Sequence, residues 1–180
     1  MTIVLWLLFT QGVLGAFDTL YFHEWRARLV ARMPGTRPEL VLHAARSIIY
    51  SIVFGTLPWF AWRGAMTFAL AALLFAEIVI TLADFVVEDK VRAPLGGVFP
   101  VERVMHTVMA IVYGAMLANV VPVMIGWSAE ATAIAPHAVA APAMLRGALC
   151  LMSAGVLLSG LRDGAAAMRL PYAAWPWKTV

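Results

Sequence analysis

Charged residues and cysteine are both scarce in this sequence. Of its 180 residues only 13% are charged, against about 25% in an ordinary soluble domain. The single thiol, Cys150, excludes an internal disulfide and a metal cage built from thiolates. No basic residue precedes the first apolar stretch and no small-residue cleavage site follows it, so we expect a retained helix there, not a signal peptide.

What the sequence does contain is apolar residues, 63% of the chain, gathered in long blocks. Five blocks approach the roughly 20 residues that a helix needs to cross the hydrocarbon core of a bilayer. They cover residues 2–22, 40–62, 65–87, 104–126 and 139–161. With their polar ends included, the sequence predicts an all-α integral membrane bundle in a single domain, 1–180, of five transmembrane helices. We expect these helices at about 2–32, 38–62, 65–90, 100–126 and 139–161.

Most basic residues lie on one side of the predicted membrane. They fall between helices one and two, between helices three and four, and in the C-terminal tail: Arg26, Arg28, Arg32, Arg37, Lys90, Arg92, Arg162, Arg169 and Lys178. By the positive-inside rule the N-terminus is outside and the C-terminus is in the cytoplasm. The location predicted is a bacterial inner membrane. Because this asymmetry accounts for the basic balance of the chain, we expect no nucleic-acid partner.

The rare polar residues of helix two recur in helix four, 63 positions further along. The matching pairs are Glu39 and Glu102, His43 and His106, and Tyr50 and Tyr113. Helices one and three match each other more faintly. The sequence therefore predicts two pseudo-symmetric helical hairpins, 1–62 and 65–126, related by an axis along the membrane normal.

Ionisable residues gather near the cytoplasmic ends of helices one to four. Such a residue within a span is costly, and it normally faces the bundle interior, a partner or a cavity. Four helices that each supply a carboxylate, two of them with a Glu/His pair, have the ligand inventory of a dinuclear metal site. The expected ligands are Glu39, His43, Glu102 and His106, then Asp84 and Glu88, and from helix one Glu24, His23 or Asp18.

This pattern resembles the ferritin-like di-iron carboxylate proteins, in which two helical hairpins face each other. It departs from them in spacing, because the pairs here are Glu-x-x-x-His and not Glu-x-x-His. The resemblance implies two metal ions, with iron favoured and manganese or zinc as alternatives, in an oxidoreductase acting on a lipophilic substrate. Arg46 would support the ligands, and Tyr50 and Tyr113 would relay protons or electrons. The chain also resembles bacterial integral membrane proteins, a likeness that implies no activity.

Other interpretations account for some of these residues. The spacing of Thr36 and Glu39 predicts a capping box, which would account for Glu39, and the polar residues could form a purely structural lattice. His43 and His106 could instead bind haem b in a quinone-linked electron carrier or membrane anchor. A non-catalytic subunit or assembly factor of a larger membrane complex is a third possibility. Expected partners are the lipid bilayer, a quinone or other lipophilic molecule, an electron-donor protein, and a second copy of the chain.

Overall fold

The computed structural model describes residues 1–177, so the predicted cytoplasmic Lys178 lies outside the described residues. Within that range the chain forms a bundle of five helices, as predicted. They are α1 (Thr2–Phe17, continued by a π-helical segment over Asp18–Ala27), α2 (Arg37–Thr56), α3 (Ala65–Arg92), α4 (Pro100–Ser128) and α5 (Ala143–Ala167). Two short strands, β1 (Phe60–Arg63) and β2 (Ala133–Pro136), pair at one end.

Four of these helices are long and apolar enough to cross a membrane. Among residues 1–177 they cover Thr2–Ala27, Ala65–Leu95, Pro100–Ser128 and Ala143–Ala167. Their outer faces carry large exposed apolar side chains, such as Phe75, Ile111 and Leu158, as lipid-facing helices do. The helix α2 is not among them: it carries Glu39, His43 and Arg46, and it packs between α3 and α5. The apolar spans mark the chain as a membrane protein, with four of them where five were expected.

Small residues let α5 pack closely along α2. A side chain at Gly160 would collide with Ser47 of α2, and the Ser153 hydroxyl donates a 2.7 Å hydrogen bond to the carbonyl of Ser51. Small residues and hydroxyl groups at a helix interface are typical of membrane bundles, where apolar burial does not drive helix association. The helix α5 also contacts α1, and α1 packs mainly against α4.

The two strands form an antiparallel ribbon that defines what we call the ribbon end of the bundle. Phe60 pairs with Pro136, and Arg63 pairs with Ala133. Helix α2 was expected to reach residue 62 but ends at Thr56. Pro58 lacks the N–H that would continue the helical hydrogen bonds, and the aromatic residues that follow it favour an extended chain.

At the opposite end of the bundle, the connection between α1 and α2 is not a simple helical turn. Helix one was expected to run to about residue 32, but the chain changes to π-helical hydrogen bonding at Asp18 and leaves the helix at Arg28, which has a left-handed φ of 53°. A 3₁₀ turn over Leu29–Arg32 follows. A π-helix bonds residues five apart, so it brings positions i and i+5 close to one face.

Candidate metal centre

Each of the first four helices brings one pair of ionisable side chains to the point where α1 and α3 end and α2 and α4 begin. In α2, α3 and α4 the two residues are four positions apart, which places them on one helix face. In the π-helical segment they are five apart, the spacing that its own hydrogen bonding brings together. Each side chain belongs to a residue at most 9% exposed. We call these eight residues the cluster: Asp18 and His23, Glu39 and His43, Asp84 and Glu88, and Glu102 and His106.

The first group of donors in the cluster comes from the π-helical segment and α4. It comprises Asp18, His23, Glu102 and His106, with donor atoms within 4.8 Å of one another. The His23 Nε2 atom lies 3.3 Å from a carboxylate oxygen of Asp18 and 3.4 Å from Glu102 Oε1. The His106 Nε2 atom also lies 3.3 Å from Asp18. Ligands about 2.1 Å from a tetrahedral ion stand about 3.4 Å apart, so these donors have the spacing of a metal's ligands.

A second group overlaps the first and uses His23 again. It comprises His23, Glu39 and His43. The His23 and His43 rings are stacked, with centroids 4.5 Å apart and planes inclined by 6°. The His43 Nε2 atom lies 3.4 Å from Asp84 Oδ2 and 4.0 Å from Glu39 Oε1. The two groups therefore form adjacent positions that share one imidazole.

Several donor atoms of the cluster make no hydrogen bond with another described residue. They are Asp18 Oδ1, His23 Nε2, His43 Nε2, Asp84 Oδ1 and Glu88 Oε2. A buried polar atom without a partner destabilises a fold by about 1–3 kcal/mol, so several at one point call for a ligand. The charges of the cluster leave room for a cation. Its five carboxylates face the two guanidinium groups of Arg46 and Arg92, so three negative charges remain to be balanced, either by protons on the three cluster histidines or by bound cations.

Arg92 is the site residue that the sequence analysis missed, because it counted this arginine only as a basic residue of the cytoplasmic side. It is 1% exposed. Its Nε donates to both carboxylate oxygens of Glu39 at 3.0 Å, and its Nη2 donates to Glu39 at 2.7 Å and to Glu102 at 3.3 Å. Arg92 thus joins the two glutamates that the predicted repeat pairs. The sequence signal was the pair of glutamates at equivalent positions of the predicted repeat, because two carboxylates buried together require a cation between them.

The structure separates the three helix-one candidates. Asp18 and His23 lie in the cluster, and Asp18 sits beside His106. The structure does not bring Glu24 to the cluster. Its carboxylate instead accepts hydrogen bonds from Arg162 and from Trp177 Nε1, on the side of α5 and the tail.

The three residues expected to assist the site lie one or two helical turns beyond the cluster, toward the ribbon end. Arg46 donates a 3.0 Å hydrogen bond to Asp84, and so touches the cluster directly. Tyr50 donates to Glu77 at 2.9 Å. Tyr113 donates to a backbone carbonyl, that of Leu74, at 3.0 Å. Tyr50 therefore belongs to a side-chain network, whereas Tyr113 is bonded only to the main chain.

Two cavities adjoin the cluster. The larger cavity, about 340 Å³, lies between α1, α2 and α5 and is lined by His23 and His43 near the cluster and by Phe54 further along. The smaller cavity, about 240 Å³, lies between α3 and α4 and reaches His106. The larger cavity has the size of small-molecule sites, which begin at about 300 Å³.

No family model, curated protein or solved structure matches the chain. What the described residues establish is a helical bundle with four apolar spans and a buried cluster of carboxylates and histidines that could hold a metal ion.

Proposed function

We propose that the protein is a membrane-embedded, metal-dependent oxidoreductase that holds two metal ions in the cluster and acts on a lipophilic substrate. One observation carries the proposal: two groups of buried donors share His23, and several of their atoms make no hydrogen bond with another described residue. An ion in the first position would take Asp18 and His106, and an ion in the second would take His43 and Asp84. His23 lies between the two positions.

The donor types favour particular metals. Carboxylate oxygens mixed with imidazole nitrogens suit iron and manganese, and they also accept zinc. Iron is our first choice because it performs the redox chemistry proposed, and the ferritin-like pattern of the four helices supports it. Arg92 sets this site apart from that pattern: it binds the oxygens of Glu39, so Asp18 and Asp84 have the freer oxygens.

The surroundings of the cluster support a lipophilic substrate. The larger cavity runs from the His23 and His43 side chains to the apolar side chains of Phe54, Met152 and Val156, between α1, α2 and α5. The metal ions would supply the redox chemistry. The protein would fix the ligands, keep water out of the apolar interior, and hold the substrate against His43.

The geometry favours metal ions over haem. A bis-histidine haem needs open space in front of each Nε2 atom to admit the flat porphyrin. Here the Nε2 atom of His43 faces Asp84 at 3.4 Å, and that of His106 faces Asp18 at 3.3 Å. Carboxylates at that distance suit a bare ion and would collide with a porphyrin.

Elemental analysis and an absorption spectrum of the detergent-purified protein test the proposal. We expect about two metal ions per chain and no Soret band. His23→Ala should lose at least one ion because His23 belongs to both donor groups, and His43→Ala should lose one. His137→Ala provides the matched control, since His137 lies beyond β2 at the ribbon end and should retain full metal content. Unchanged metal in both His23→Ala and His43→Ala, or a Soret band in the wild type, would contradict the proposal.

A further inference from the structure

Gln11 of α1 is a buried polar residue to which the proposed function gives no role. It is 6% exposed, and it lines both the larger and the smaller cavity. Its side-chain nitrogen is bonded, but its carbonyl oxygen, Oε1, makes no hydrogen bond with any described residue. An amide oxygen left unpaired in an apolar interior is costly, so a ligand group at this point would stabilise it.

Neighbouring hydrogen bonds fix which end of this amide is bonded to Tyr50 and which end is left without a hydrogen bond to a described residue. Glu77 accepts hydrogen bonds from Tyr50, at 2.9 Å, and from Thr81, at 2.8 Å. Because Tyr50 uses its only proton on Glu77, its oxygen can only accept, and it accepts from Gln11 Nε2 at 3.1 Å. The amide nitrogen must therefore point at Tyr50, and the amide oxygen must point away from it.

We propose that the larger cavity binds a lipid-soluble molecule that carries a hydroxyl group, and that this hydroxyl donates to Gln11 Oε1. Tyr50 donates to Glu77 and accepts from Gln11 Nε2, so the group left without a partner among the described residues, Gln11 Oε1, is an acceptor. The ligand therefore has to supply the proton of this hydrogen bond. Hydroxyl groups are the common donors among small molecules that dissolve in a bilayer, either on an aromatic ring or on an aliphatic chain. Arg46 also lines this cavity, and its Nε makes no hydrogen bond within the described part of the chain, although it lies 3.7 Å from Glu77 Oε1.

The walls of the larger cavity suit the rest of such a molecule. Beyond Gln11 they are apolar, with Phe54 of α2, Met109 of α4, and Met152 and Val156 of α5. Gly15 of α1 and Gly155 of α5 open the wall, because a Cβ at either position would meet nothing within 4 Å. This inference rests on the proposed function in one respect: it names the chemical class of the lipophilic substrate.

The test is calorimetric titration of the full chain in lipid nanodiscs with paired probes. 4-Nonylphenol is compared with its methyl ether, which has the same apolar body and no proton to donate. Dodecanol and its methyl ether form a second pair, which distinguishes a ring hydroxyl from a chain hydroxyl. We expect at least one hydroxyl probe to bind about tenfold more tightly than its ether. Equal binding within both pairs would overturn the inference.

Three variants locate the binding site. Gln11→Met removes the acceptor at similar volume and should abolish the preference for the hydroxyl probe. Gly15→Leu fills the larger cavity and should abolish binding of both members of a pair. Gly114→Leu is the matched control: Gly114 also has open space around it, but it lines only the smaller cavity, so binding should persist. Loss of binding in Gly114→Leu with retention in Gly15→Leu would overturn the assignment.

Metal analysis of the same samples separates this inference from the proposed function. A wild type without metal that still prefers the hydroxyl probe would contradict only the metal site. A wild type with two metals and no such preference would contradict only the hydroxyl site. Thr10→Val serves as the fold control on α1, because Thr10 is exposed and bonds only to the carbonyl of Trp6 in its own helix.

Discussion

The two halves of the bundle are equally buried but are held together by different forces. Near the ribbon end the core is apolar, and Leu5, Leu8 and Leu70 are 0% exposed. Near the other end Glu39 and Glu102 are also 0% exposed, yet they are surrounded by charge. The same helices run through both halves, so helix packing alone does not require the charged half. The presence of so many buried charged groups in a bundle with lipid-facing helices indicates a functional site.

The largest loss of stability is expected in the charged half, from removal of the one side chain that neutralises two buried glutamates. Arg92→Met would leave two fully buried glutamates without their cation. Removing one partner of a buried ion pair costs about 3–5 kcal/mol. We therefore expect the free energy of unfolding in detergent to fall by this amount. Arg103→Ala is the control, since its pair with Asp89 is exposed and should change stability by at most about 1 kcal/mol. Equal stability of the two variants would show that Arg92 does not hold the cluster together.

A somewhat smaller loss of stability is expected from a substitution in the apolar half, and this substitution should leave the metal site intact. Leu70→Ala removes a fully buried side chain, for which large-to-small substitutions cost about 2–5 kcal/mol. We expect the free energy of unfolding to fall by about 3 kcal/mol in the same measurement, with metal content equal to that of the wild type. Loss of metal together with stability would mean that the two halves are coupled, and the comparison would fail.

The smallest loss of stability is expected at Tyr50 and Tyr113, the two tyrosines that the predicted repeat pairs. They lie between the two halves of the bundle. Tyr50→Phe removes the group that orients Gln11, so the amide can turn over, and the preference for a hydroxyl probe over its ether should fall to near equality. Tyr113→Phe loses only a bond to a backbone carbonyl and should keep the preference. Each variant should lose about 1 kcal/mol of stability. A preference that survives Tyr50→Phe would show that Gln11 is oriented by something else.

Much of the site can be read from spacing along single helices. Glu39 with His43 and Glu102 with His106 share helix faces because they are four positions apart, and burial follows because ionisable groups avoid lipid. The helix-one residue could not be chosen in this way. On an α-helix Asp18 and His23 point apart, and only the π-helical segment brings them to the same side.

The sequence by itself determined that this chain is a helical membrane protein with its polar residues at one end, because hydropathy and helical periodicity are properties of each segment alone. Only the tertiary structure decided which groups meet. Arg92 joins Glu39 to Glu102, His23 serves two donor groups, and Glu24 turns to Arg162. These contacts depend on how far each helix is shifted along its neighbours, and one additional residue in a π-turn changes that register while leaving the hydropathy of the segment unaltered.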